Sequence, residues 1–217
     1  MKNLFNYENG VMSTISSIAD SMVLGILWVV CSLPIFTIGA STAAFYYAYN
    51  KCIRMKTDYI WRTFFTGFKR NFKQATQIWL IVLGLTYIVV TDFHLLSLME
   101  STSVLVLIIQ AVLVTVMLFI ILWTLYLFPY ISRFESPNKT VMKNCALMAV
   151  ANIPQSILLL VVFAITVLIF ICLPLLNLLF PAFYMFCANR ILEKVFRKYM
   201  SPEELAAQTA DSLTQET

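Results

Sequence analysis

The stretch 57–75, TDYIWRTFFTGFKRNFKQA, is the only long segment of the chain that is both charged and strongly patterned. Wound as a helix at about 100° per residue, it places Ile60, Trp61, Phe64, Phe65, Phe68 and Phe72 within an arc of about 140°. Arg62, Lys69, Arg70 and Lys73 fall within an adjacent arc of about 100°. Thr57 or Asp58 can cap the start, because a short side-chain oxygen there accepts a hydrogen bond from a free N–H of the first turn. Rings on one face and cations beside them describe a helix lying flat at a membrane surface. The rings sit at the acyl boundary and the cations face anionic headgroups. The competing reading is a soluble helix packed on its neighbours.

Composition decides between these readings. Of 217 residues, 60% are hydrophobic and only 12% charged, against about 25% charged in ordinary soluble domains. A soluble fold of this length has no way to hide so much apolar surface, so part of its solvent is lipid. The net charge is only +4, but it is concentrated in a few segments. Five scattered cysteines with no CxxC spacing, and a single histidine, argue against a metal site or thiol redox chemistry. The polar lead with Glu8 and Asp20 does not read as a secretory signal.

On the N-terminal side of the patterned stretch, residues 21–49 carry no charge. The run exceeds the about 20 residues that one crossing needs, and it is broken at SLPIFTIGAS. Pro34 removes an N–H and disfavours helix at Leu33. Gly39 permits an unusual backbone angle, and Thr37 and Ser41 are candidate caps. We read a helical hairpin over 18–35 and 39–54, with one long kinked span as the rival. Residues 51–73 hold seven basic residues and one acid, so by the positive-inside rule this loop is cytoplasmic.

On the C-terminal side the pattern predicts a span over 75–92, an outside loop with Asp92, His94 and Glu100, and a span over 103–131 ending near Arg133. A second interfacial helix follows over 137–150, with Val141, Met142, Cys145, Met148 and Ala149 on one side. Residues 144–189 are again uncharged and give spans over 153–172 and 175–192, with a turn at Pro174. Arg190, Lys194, Arg197 and Lys198 close the last span on the cytoplasmic side, and 201–217 is a polar tail. The layout SLPIFTIG…FYYAYNK (32–51) echoes CLPLLNLLFPAFYMFCANR (172–190). If one Leu-Pro turn lies outside, so does the other. The expected fold is therefore all-α: a polytopic helical membrane bundle of about six membrane segments, or five, with both termini cytoplasmic.

Little in the spans carries chemistry. Gln110 and Asn177 are the polar content; Gln110 is read as interhelical glue, and Asp92 and His94 as solvated loop residues. Tyr46, Tyr47, Tyr49, Tyr126, Tyr130 and Tyr184 are read as an interfacial aromatic belt. There is no Gly-rich phosphate loop, HExxH or GxSxG, so we expect no enzyme, no cofactor and no catalytic residue. The basic cluster points to anionic lipid rather than nucleic acid, because it is flanked by membrane segments. The membrane-facing or partner-binding residues are expected to be Trp61, Arg62, Phe64, Phe65, Phe68, Lys69, Arg70, Phe72 and Lys73.

The motifs LPIFTIGASTAA (33–44), YIWRTFFTGFKRNFKQA (59–75) and LFPYISRF (127–134), with Asn144 and Ala146 after them, resemble the YesL-like family of bacterial integral membrane proteins, which carries a domain of unknown function. The resemblance implies a small multi-pass protein of the bacterial plasma membrane, mainly in Firmicutes, often encoded beside carbohydrate-uptake ABC transporters. It implies an accessory component of sugar uptake, with an ABC permease as partner. A homo-oligomer is compatible with it, and it supplies no site residues. The permease loop that docks a transporter ATPase is missing from this sequence. The alternative is a small-solute transporter in its own right, with the Leu-Pro turns at Pro34 and Pro174 as gates and Gln110 and Asn177 as polar lining.

Overall fold

Eleven residues, Ile38–Ala48, form a short, largely buried helix on which the two long helices that follow it pack. This helix, α2, is rich in small side chains (Gly39, Ala40, Ser41, Ala43, Ala44 and Ala48), and all of them are buried. Small residues let helix backbones approach closely, which is how apolar helices gain contact when lipid is the alternative solvent. The computed structural model describes residues 19–54, 59–98, 103–172 and 180–200. Before α2 come α1 (Ala19–Ser32) and a single 3₁₀ turn (Ile35–Thr37); after it the chain widens into a π-helical segment, Tyr49–Arg54. The remaining helices are α3 (Ile60–Ser97), α4 (Val104–Arg133), α5 (Asn138–Ala151), α6 (Ile153–Cys172) and α7 (Phe180–Tyr199). Among the described residues there is no strand, so the chain is the all-α membrane bundle its composition implies.

The expected hairpin at Pro34 is present. Thr37 Oγ1 lies 2.6 Å from both Cys31 O, in the last turn of α1, and Pro34 O, which also accepts the Thr37 backbone N–H. Trp28 Nε1 donates to Thr42 Oγ1 at 3.1 Å and clasps the two arms. Gly39 plays a different part from the one expected. It sits inside α2, and a Cβ there would lie 2.6 Å from the Phe128 ring, 2.8 Å from Trp79 Cβ and 2.9 Å from Ala75 O. Close approach, not an unusual backbone angle, requires glycine here.

The turn of this hairpin does not stand at the end of α3. Trp79 Nε1 donates to Ile35 O at 2.7 Å, so the turn is level with the middle of α3. From Trp79 to Leu98 at the far end of α3 is about 28 Å at 1.5 Å per residue, close to a hydrocarbon thickness. α2 with its π-helical end, residues 38–54, runs over 11 residues and a further 6, together a little under the about 20 of a crossing.

Among the described residues three helices are long and apolar enough to cross a membrane: α3, α4 and α6. The most apolar stretches of these helices have only 11%, 6% and 17% of their residues buried within the chain. Exposed apolar side chains run along α3 (Leu85, Ile88), α4 (Val104–Phe119) and α6 (Ile157–Ile171). Lipid is the solvent this surface fits.

α3 corrects the reading of the patterned stretch. The interfacial helix expected over 58–73 and the span expected over 75–92 are one uninterrupted helix of 38 residues. The charge pattern changes after Lys73, but no proline or glycine lies between Gly67 and Gly84, so nothing breaks the hydrogen-bond ladder. Thr63, Phe64, Gly67, Asn71, Ala75, Ile78 and Val82 form one buried stripe that crosses the supposed boundary. α5 starts with Pro137 at the N-cap position, one residue later than read, and buries Val141, Cys145, Met148 and Ala149 as its pattern predicts. α6 has the expected bounds, and α7 continues past 192 to Tyr199. Thr57, Asp58, Pro174, Asn177 and the tail 201–217 lie outside the described residues.

Candidate functional site

The basic residues of α3, the C-terminal end of α4 and the last turns of α7 gather at one end of the bundle, which we call the basic end. α2 runs antiparallel to α3, with Tyr47 against Gly67 at the basic end and Gly39 against Ala75 and Trp79 further in. α4 returns beside α3: Gln74 Nε2 donates to Ser136 O at 2.7 Å, and Asn138 Nδ2 to Gln77 Oε1 at 3.0 Å.

The expected aromatic face of α3 divides in two. Phe64 is fully buried, and Phe68 and Phe72 pack against the core. These rings form a continuous ladder, with centroids 6.3 Å apart for Phe64–Phe68 and 5.3 Å for Phe68–Phe72. They belong to the protein interior, not to a lipid surface. Trp61 and Phe65, 60% and 39% exposed, stack on each other at 6.5 Å and form the part that faces away. The i, i+4, i+8 spacing from Phe64 is the part of the arc that turns to the core.

The cations divide likewise. Arg70 Nη2 donates to Ser132 O at 2.9 Å, while its guanidinium lies 4.5 Å from the centre of the Tyr47 ring. Lys51 approaches the same ring at 5.2 Å. Arg70 thus ties α3 to α2 and α4, and cation–π attraction adds to the tie. Arg62, Lys69 and Lys73 remain on the exposed surface beside Trp61 and Phe65.

The structure adds a polar centre that the sequence reading missed. Arg133 Nη1 pairs with Glu193 Oε1 at 2.9 Å, and the Tyr46 hydroxyl donates to the same oxygen at 3.1 Å. Beside them Asn189 Nδ2 donates to Asn50 Oδ1 at 2.8 Å. Glu193 is only 4% exposed. A carboxylate buried to this degree needs a partner charge and hydrogen bonds, and α4 and α2 supply both. The network joins α2, α4 and α7, which are far apart in sequence. Phe196 lies edge-on to Tyr46, Tyr130 and Phe134 and closes it off. The signal was present in the chain: Met185, Ala188, Leu192, Val195 and Phe196 are buried at helical spacing, and Glu193 falls on that stripe. It was hidden because Arg190, Lys194, Arg197 and Lys198 make the segment look like a solvated basic end.

The tyrosine belt is corrected too. Tyr46, Tyr126 and Tyr130 are buried, and each spends its hydroxyl inside the bundle. The Tyr126 hydroxyl shares a hydrogen bond with Ser156 Oγ at 3.0 Å, and the Tyr130 hydroxyl accepts from Asn144 Nδ2 at 3.0 Å. Gln110, read as glue, is half-exposed in α4 and makes no hydrogen bond among the described residues. Asp92 and His94 are exposed, but on the last turns of α3 instead of in a loop.

Beside Glu193 an open cleft of about 510 Å³ is lined by Tyr49, Phe186, Asn189, Arg190, Glu193, Lys194 and Arg197. All five cysteines are free. Cys145 in α5 is buried, and desolvation pushes its thiol well above the usual range.

Compared with known families, residues 21–93 match the one described as Protein of unknown function, DUF624. The match takes in α1, α2 and most of α3, and ends before α4. No curated protein and no solved structure matches the chain.

Proposed function

We propose that this chain is an accessory membrane component of bacterial carbohydrate uptake that acts beside an ABC transporter, sits in the plasma membrane and keeps both termini in the cytoplasm. The resemblance of its motifs to the YesL-like family points to sugar uptake, and the match of 21–93 to a family of unknown function is consistent with it. Seven basic residues against one acid over 51–73 favour a cytoplasmic basic end.

The observation that carries the reading is the divided aromatic face of α3. One side of the helix is fully used in packing, while Trp61 and Phe65 stay exposed among Arg62, Lys69 and Lys73. Aromatic and arginine side chains are the residue types on which interfaces depend most. A rigid helix holds this ridge at the membrane boundary, where a neighbouring permease can meet it.

The double substitution Trp61→Ser/Phe65→Ser tests the docking. Both positions are exposed, so folding should survive, unlike a change at Phe64. Wild-type protein purified from its native membrane should bring an ABC permease subunit with it, and the double variant should not. Recovery of the permease with both proteins, or with neither, contradicts the proposal. Solute flux in proteoliposomes holding this protein alone would favour the transporter alternative.

A further inference from the structure

We propose that the cleft between the π-helical end of α2 and α7 binds an organic phosphate, by ion pairs from Arg190, Lys194 and Arg197. Its place on α7 makes this independent of the ridge on α3.

Arg190, Lys194 and Arg197 recur at i, i+4 and i+7, the spacing of one helix face. All three line the same cavity. That places three cations over one opening, whereas an ordinary solvated basic face spreads its charges into water. The single acid among the described lining residues, Glu193, does not cancel them, because Arg133 pairs with its carboxylate at 2.9 Å. The cleft therefore keeps the positive character of its rim.

The floor is polar and fixed. Asn189 and Glu193 are each 4% exposed and locked by Asn50, Tyr46 and Arg133. Groups held in place before a ligand arrives cost little ordering on binding. One wall is aromatic: the Arg190 guanidinium lies 4.5 Å from the centre of the Phe186 ring, with Tyr49 among the other lining residues. Stacking leaves the edge N–H groups of an arginine free, and these match phosphate oxygens in pairs. A volume of about 510 Å³ lies within the range of small-molecule sites. It holds a phosphate with a short hydroxylated or apolar substituent against Phe186 and Tyr49.

The same chemistry has two sources: the headgroup of an anionic phospholipid, and a free organic phosphate. The test uses the full-length protein in nanodiscs of phosphatidylcholine, with the thermal midpoint and calorimetry as readouts. Glycerol 3-phosphate is titrated in one arm, and phosphatidylglycerol is introduced into the disc in the other. Saturable binding in either arm is expected, weakened at least about tenfold by Arg190→Gln/Arg197→Gln. Lys69→Gln/Lys73→Gln on α3 removes the same charge elsewhere and should leave glycerol 3-phosphate binding, and the part of phosphatidylglycerol binding that Arg190→Gln/Arg197→Gln removes, unchanged. Saturation by glycerol 3-phosphate assigns a soluble ligand; saturation by phosphatidylglycerol alone assigns a lipid. Absence of saturable binding in both arms overturns the proposal. So does equal weakening by the two double variants, which would mean general charge attraction. Lys194→Gln alone, a milder change on an exposed residue, repeats the test if the double variant does not fold.

Discussion

The two ends of the bundle obey different rules. At the basic end α2 is enclosed by α3, α4 and α7, its small residues are buried, and polar groups find partners across helices. At the apolar end α3, α4 and α6 extend past α2 with their side chains facing outward. The difference follows from solvent. Where lipid surrounds the chain, an apolar side chain gains nothing by burial, and helices associate only where close packing or hydrogen bonds make contact worthwhile. Small residues and buried polar groups are abundant around α2 and sparse along the apolar halves. The sequence therefore places the tertiary structure at one end.

Breaking the polar centre should have the largest effect. Replacing Glu193 by Gln leaves Arg133 buried without its countercharge, which typically costs about 3–5 kcal/mol. Replacing Arg133 by Met alone should cost a similar amount. Changing both together, Arg133→Met with Glu193→Leu, should recover much of the loss, because a well-packed apolar pair can replace a buried ion pair. Thermal unfolding in a neutral detergent would check this, and equal losses in the double and single variants would contradict the pairing.

Next come matched truncations at the two ends. Phe64→Ala opens a cavity in the enclosed end, an effect of about 3–5 kcal/mol. Ile88→Ala, at an exposed apolar position, should stay within about 0.5 kcal/mol. The same unfolding assay compares them, and equal losses would mean that the apolar end is packed too.

The glycines give the smallest contrast. Gly39→Ala forces a methyl against the Phe128 ring and the Ala75 carbonyl, an overpacking cost of about 1–3 kcal/mol. Gly84→Ala meets nothing within 4 Å and should be neutral or slightly stabilising, since alanine is the better helix former. A Gly39→Ala protein as stable as wild type would show that α2 has room to move.

The same contrast explains what was legible in the sequence. α4, α5 and α6 were readable within a few residues, because apolar run length and helical spacing are local properties. The ring-bearing arc of α3 was readable, but which rings turn inward was not. That depends on α2 lying against α3 at Gly67, a contact between distant segments. The Arg133–Glu193 pair was invisible for the same reason: its partners are 60 residues apart and each stands among ordinary boundary charges. The continuity of α3 was misread because a change in charge was taken as a change in structure. The position of the Pro34 turn beside Trp79 was not readable either, because run length alone does not say how far a hairpin reaches along its neighbour.

That position is the sharpest point at which the account can fail. Leu33, 75% exposed at the turn, and Leu98, 65% exposed at the far end of α3, can each be replaced by cysteine in a variant lacking the native thiols. A membrane-impermeant maleimide is then applied from each side of sealed membranes. Leu33→Cys should not react from the side on which Leu98→Cys reacts. Labelling of both positions from the same side would place the turn at the far surface, with α1 and α2 as full crossings, and would contradict the two-ended architecture.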